Sequence, residues 1–217
     1  MSPESGLNFV THYTDFNYAD GQFNTILYLA AANNCKKTVE YLLNVRNVDP
    51  NVKVSEGLTA VHIAARQGFA VVLSQLANVK GIQLSEKDAY GETPLFRAIG
   101  NAPTSELNAI VRAILEKDEA SVNIPNEDGI YPIDLALMRK NAAVVTTLLQ
   151  HGSVVSERCY QDAANMMLAK SQPSSLFGGA SVFFIGSGDN SAIRDCAKLV
   201  IEAYNSRHLT TNLRNSS

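Results

Sequence analysis

From Gln22 onward the chain alternates short apolar-periodic segments with polar turns, and the segments come in pairs. Thr25 to Ala30 opens one amphipathic helix and Val39 to Leu43 a second, with Asp49-Pro50-Asn51 ending the unit. Gly57 to Ala65 begins the next pair, Gly68 closes its first helix, and Val71, Val72, Leu73 and Leu76 line the second. Asp88 to Ala98 starts a third pair, completed by Ile110, Ile114 and Leu115. Gly129 to Ala136 starts a fourth, followed by Val144, Val145, Leu148 and Leu149 on one helical face and the stop His151-Gly152-Ser153. Two further helices are predicted over Cys159 to Lys170 and Ser191 to Tyr204, from Ala163, Ala164, Met167 and Leu168 and from Ile193, Cys196, Ala197, Val200 and Ile201.

The pairs keep a period. Thr59 follows Thr25 by 34 residues and Thr93 follows Thr59 by 34, whereas Tyr131 follows Thr93 by 38. The extra residues are expected in the helix-helix turn of the third pair, at Gly100-Asn101-Ala102-Pro103-Thr104-Ser105. Within the run D-A-Y-G-E-T-P-L-F-R-A (Asp88 to Ala98), Gly91 supplies a residue free to take positive φ. Thr93 can cap the helix, and Pro94 sits at the first helical position, where a missing N–H costs nothing. Leu95 and Ala98, three apart, share a face.

This order of turn glycine, cap, proline, leucine and small residue resembles the turn-plus-helix opening of an ankyrin repeat, and the period is close to the roughly 33 residues of that family. The second copy, T-A-V-H-I-A-A from Thr59, is the most similar to its T-P-L-H-x-A motif. Tyr131 stands where the family has the capping Thr; Tyr28, Phe96 and Asp134 stand where it has His. The resemblance implies an all-α solenoid of stacked antiparallel helix pairs with projecting β-turn fingers, elongated and slightly curved. Residues 1–21 are expected as an N-terminal cap, 22–156 as the repeats, and 157–206 as a degenerate terminal helix pair. A Gly/Ser-rich insertion at 171–190 interrupts that pair, and 207–217 is expected as a flexible tail.

Such a fold implies a non-enzymatic module that binds a partner protein, as a monomer, through the concave face built from turn tips and inner helices. Carried over position by position, the contacts fall on Glu56, Leu58, Arg66 and Gln67; on Tyr90, Glu92 and Arg97; and on Asp128, Ile130, Met138 and Arg139. Tyr90 and the three arginines are residue types that often carry interface energy. The irregular units also resemble those of ankyrin proteins that bacteria inject into host cells, which would place the chain in a host cytosol.

Charge and cysteine content narrow the partners. With 18 Lys and Arg against 21 Asp and Glu, the net charge of -3 gives no electrostatic reason to expect nucleic acid or an anionic membrane. Cys35, Cys159 and Cys196 lie far apart, so neither a disulfide framework nor a metal cluster is supported, and a reducing, cytoplasmic setting is expected. The first twenty residues lack the basic start and apolar run of a signal peptide, and no apolar run reaches spanning length.

Candidate chemistry is sparse. His62 is read as a structural hydrogen-bonding residue, since no acidic or cysteine partner lies at a useful spacing; His12, His151 and His208 are scattered. Val182 to Ser191 leads an apolar run through Gly186-Ser187-Gly188 into a helix, as an anion-binding loop would. It lacks the third glycine, a following lysine and a parallel sheet, so a flexible turn at Gly186 and Gly188, with Asp189 or Ser191 capping the last helix, is the simpler reading and a nucleotide-binding or catalytic appendage the alternative. No catalytic set, cofactor or metal is expected. Leu43 ahead of Asp49-Pro50-Asn51 and Leu115 ahead of Ser121-Val122-Asn123 are similar to contexts of asparagine hydroxylation in ankyrin repeats, but turn shaping by these asparagines is the plainer reading.

Overall fold

The computed structural model describes residues 25–45, 48–168 and 191–215, and the chain divides into two compact units, one ending at Pro132 and the other starting at Ile133. The expected cap over 1–21 and the insertion 171–190, with its Gly186 and Gly188, lie outside the described residues.

In the first unit the helices are α1 (Ile26–Ala32), α2 (Lys36–Val45), α3 (Ala60–Gln67), α4 (Ala70–Ala77), α5 (Pro94–Asn101) and α6 (Thr104–Leu115). Inner helices α1, α3 and α5 pack side by side, and outer helices α2, α4 and α6 form the layer behind them. Short inner helices depend on their caps. Thr25 Oγ1 accepts from Tyr28 N–H at 3.2 Å and Thr93 Oγ1 from Phe96 N–H at 3.3 Å, each satisfying a donor that the first turn leaves open. Leu73, Leu76, Leu95, Ile99, Ile110 and Ile114 are fully buried between the layers, each contributing on the order of 2 kcal/mol by leaving water.

The extra residues of the third pair are not in its helix-helix turn. Two residues separate α3 from α4 and two separate α5 from α6, but α6 has 12 residues where α4 has 8. Four residues make little more than one helical turn, so the insertion lengthens the outer helix while leaving its apolar stripe in place. In the second pair the helix-helix turn needs Gly68 at φ 83°, whereas Ala102 and Pro103 make the third pair's turn with ordinary extended backbone.

The second unit contains α7 (Pro132–Met138), α8 (Ala142–Gln150), α9 (Glu157–Leu168) and α10 (Ser191–Asn215), with α10 packed on both α8 and α9. Val144, Val145, Leu148, Ala163, Cys196, Ala197 and Val200 are among its buried apolar residues. The α7–α8 turn places Lys140 at φ 56°, and Asn141 N–H closes it by donating to Ala136 O at 3.2 Å. A flexible tail was expected from 207, but α10 continues to Asn215; the sequence there has no Gly or Pro to stop it.

Candidate functional site

Three turns, at residues 54–58, 88–92 and 126–130, project ahead of α3, α5 and α7 with one backbone frame. The first and last residues of each turn, four places apart, pair across it: Val54 N–H donates to Leu58 O (2.7 Å), Asp88 N–H to Glu92 O (3.1 Å) and Asn126 N–H to Ile130 O (3.0 Å). Gly57, Gly91 and Gly129 stand at φ 71°, 70° and 73°, and their N–H groups donate to Val54 O, Asp88 O and Asn126 O at 3.1, 3.0 and 3.1 Å. A side chain at these φ values is strained, which is why glycine recurs at the same place in each finger.

The frame decides which side chains face solvent. Residues just before the glycine, Glu56, Tyr90 and Asp128, are exposed, Tyr90 to 54%. Those just after it turn inward: Leu58 is 6% exposed, and Glu92 and Ile130 are half-buried. Leu58 was expected at the contact surface; as a core residue it cannot serve there. Arg66 and Gln67 are exposed at the end of α3, and Met138 and Arg139 at the end of α7 in the second unit.

Asp88 organises the middle finger. Its Oδ1 accepts from Tyr90 N–H at 2.8 Å and Glu92 N–H at 3.0 Å, and its Oδ2 accepts from Arg97 Nε at 2.6 Å. Arg97 Nε also lies 2.9 Å from Glu92 Oε2, and the guanidinium sits 5.2 Å from the centroid of Tyr90. With its side chain only 14% exposed, Arg97 is held inside the protein, so the cation expected for a partner is engaged locally. The Glu92 carboxyl is pushed up by burial, against the pull of Arg97 and with the added repulsion of Asp88 and Asp128. Neither Asp88's role nor Arg97's ion pairs were read from the sequence. A signal was present, because Asn126 follows Asp88 by 38 residues, the same offset as Tyr131 from Thr93, and its Oδ1 likewise accepts from Asp128 N–H at 3.1 Å and Ile130 N–H at 2.9 Å.

Neighbouring fingers are fastened together. Glu56 adopts φ 60°, which turns its carbonyl toward the next finger to accept from Ala89 N–H at 2.7 Å. His62 does the same for its side chain. Thr59 N–H donates to Nδ1 at 3.2 Å, so the other nitrogen carries the proton and Nε2–H donates to Glu92 O at 3.2 Å. Burial lowers the His62 pKa, favouring the neutral ring that this arrangement requires. Lys53 reaches Glu86 at 2.6 Å and Lys87 Nζ donates to Pro125 O at 2.7 Å. Behind the fingers Asn51 clasps the following loop, its Nδ2 donating to Gly81 O and its Oδ1 accepting from Gln83 N–H, both at 2.9 Å. Asn51 thus shapes the connection between units. Ser85 and Ser121 hydroxyls both donate to Asp118 Oδ2, the latter at 2.7 Å, and make the equivalent link one unit on.

These features are those of one repeated unit, a finger with glycine at positive φ followed by an inner and an outer helix, with a histidine bridge to the next finger at His62. The family model for ankyrin repeats, in three copies, matches residues 27–126. Residues 27–126 are ankyrin repeats. The chain is 22% identical over 190 residues to Rabankyrin-5 of Mus musculus, covering 82% of this chain and 16% of that protein. It is 30% identical over 125 residues to tyrosine-protein kinase Shark of Drosophila melanogaster (57% and 13% covered) and 31% over 145 residues to alpha-latrotoxin-Lt1a of Latrodectus tredecimguttatus (66% and 10%). The chain therefore spans about a sixth or less of the length of these curated relatives.

The remaining candidate groups have structural surroundings. Cys159 and Cys196 are buried, and burial pushes both thiols up, Cys196 to about 11, which keeps them protonated and unreactive. Asp134, where the ankyrin motif has His, hydrogen-bonds the Cys159 thiol. His151 forms the C-cap of α8. Among the described residues no group of three or more His, Cys, Asp and Glu could hold a metal ion, and no helix is long and apolar enough to cross a membrane.

Proposed function

We propose that the chain is a non-enzymatic module that binds a partner protein through the face made by its ankyrin fingertips and the exposed ends of the inner helices. One observation carries this reading: Tyr90 is a large side chain left 54% exposed at a fingertip, yet its backbone is fixed by Asp88 and its ring backed by Arg97. A rigid exposed aromatic loses little conformational freedom on binding, the usual property of an interface anchor. Exposed Arg66 and Gln67 on α3 extend the same surface within the first unit.

Affinity capture by the full chain, with Tyr90→Ala and Arg66→Ala as the comparison, tests it. Specific capture by the native chain should be lost in the double variant while far-UV circular dichroism stays unchanged. Equal capture by both proteins would rule this face out. Arg97 is unsuitable for the comparison, because removing it also breaks the ion pairs that hold Asp88 and Glu92.

A further inference from the structure

The charge left over at the fingertips indicates what kind of partner fits. Residues 48–130 hold seven Lys and Arg against eleven Asp and Glu, a net of -4, whereas the whole chain carries -3. This stretch, which spans the three fingers, is thus more acidic than the chain as a whole. Several cations of the fingers are also engaged internally: Arg97 by Asp88 and Glu92, Lys53 by Glu86, and Lys87 by Pro125 O. Glu56 and Asp128, by contrast, occupy the exposed position before the turn glycine, and among the described residues no ion pair holds either carboxylate. Tyr90 occupies the same position in the finger between them. Arg66, at the end of α3, is an exposed cation that none of these ion pairs engages.

The shared backbone frame makes Glu56, Tyr90 and Asp128 a row of acid, aromatic and acid, one residue per finger. We propose that this row receives a basic polypeptide segment, with Lys or Arg side chains over the two carboxylates and an intervening cation or apolar side chain against the open side of the Tyr90 ring. Opposite charge attracts the segment and fixes its register, while the ring supplies contact area and a face attractive to cations. The proposal rests on the protein-binding face described above, and it adds the charge and extended form of the occupant.

A randomised peptide library selected on the immobilised full chain tests the inference. Enrichment of Lys- and Arg-rich sequences is expected. Fluorescence anisotropy of an enriched peptide should show about fivefold weaker binding to each of Glu56→Gln and Asp128→Asn. Raising the ionic strength from about 0.05 M to about 0.5 M should weaken binding further. Both substitutions keep side-chain size, and unchanged circular dichroism shows that the fingers remain folded. Neutral or acidic enriched peptides that still depend on Tyr90 would overturn the basic partner and leave the docking face standing. Basic peptides that bind the native chain and the variants equally, or no enrichment at all, would overturn the row. Loss of the docking face itself reads out separately, as protein capture indifferent to Tyr90→Ala.

Discussion

Replacing Asp88 separates what a finger's turn contributes from what its ion pair contributes. The Asp88 side chain is fully buried, and its carboxylate accepts two backbone N–H groups at 2.8 and 3.0 Å as well as Arg97 Nε at 2.6 Å. Hydrogen bonds to a charged acceptor contribute about 1.5 kcal/mol each, so the two turn bonds amount to about 3 kcal/mol. Arg97 keeps Glu92 at 2.9 Å when Asp88 is removed, which limits the ion-pair loss to about 1 kcal/mol. Asp88→Ala should therefore cost about 4 kcal/mol, whereas Asp88→Asn should cost only about 1 kcal/mol. The chain itself supports the second figure, because Asn126 makes the same two turn bonds in the next finger. Urea unfolding followed by far-UV circular dichroism is the assay, since the chain has no Trp to report. Equal destabilisation by Ala and Asn would refute the reasoning and assign the cost to the ion pair; a neutral Asp88→Ala would deny Asp88 any role in the turn.

Other outcomes follow from the same geometry. Gly91→Ala should destabilise by about 3 kcal/mol, and Gly129→Ala by about 1 kcal/mol in thermal unfolding. Both need positive φ, but a Cβ on Gly91 would lie 2.5 Å from Glu127 Cγ and 2.7 Å from its backbone nitrogen, while one on Gly129 meets nothing within 4 Å. Lys140→Gly should stabilise by about 1 kcal/mol, because it relieves a non-glycine residue at φ 56°. Stability should fall on acidification below about pH 6.5 as the unfolded chain protonates histidine more readily than folded His62, whose pKa is lowered. The loss is complete once pH passes below the folded value. Glu92, with a raised pKa, acts the other way: its folded form takes up a proton first, so stability rises as pH falls from that raised value toward 4.5. His62→Gln should remove the first trend and leave the second, as measured by unfolding at several pH values.

Helix pairs, caps and period were legible because each repeats: a threonine cap, turn glycine and apolar face recurring at 34 residues leave few other arrangements. The four extra residues of the third unit were misplaced because Gly100 and Pro103 look like turn signals. In the structure Gly100 lies inside α5 and Pro103 is the N-cap of α6, with the added length taken up by α6. Leu58 and Arg97 were read as surface residues for a related reason. Position in a motif says which residues flank the glycine, but only the backbone frame shows that one flank faces out and the other in. Arg97's engagement depends on Asp88 and Glu92 converging on one guanidinium, a meeting across the finger that no linear spacing displays. The histidine bridge survives at His62 alone among the four motif positions, and backbone and lysine bonds from Glu56, Ala89, Lys53 and Lys87 join the fingers as well.

Amide hydrogen exchange at Ala89 tests most directly whether successive fingers are locked in this register. Ala89 lies on an exposed tip, and its N–H has one partner, the Glu56 carbonyl of the preceding finger at 2.7 Å. The stacked arrangement predicts exchange slowed at least about a hundredfold relative to an unstructured amide. Exchange at the unstructured rate, with α3 and α5 amides still protected, would show that the fingers are not joined and that the row of tip residues does not exist.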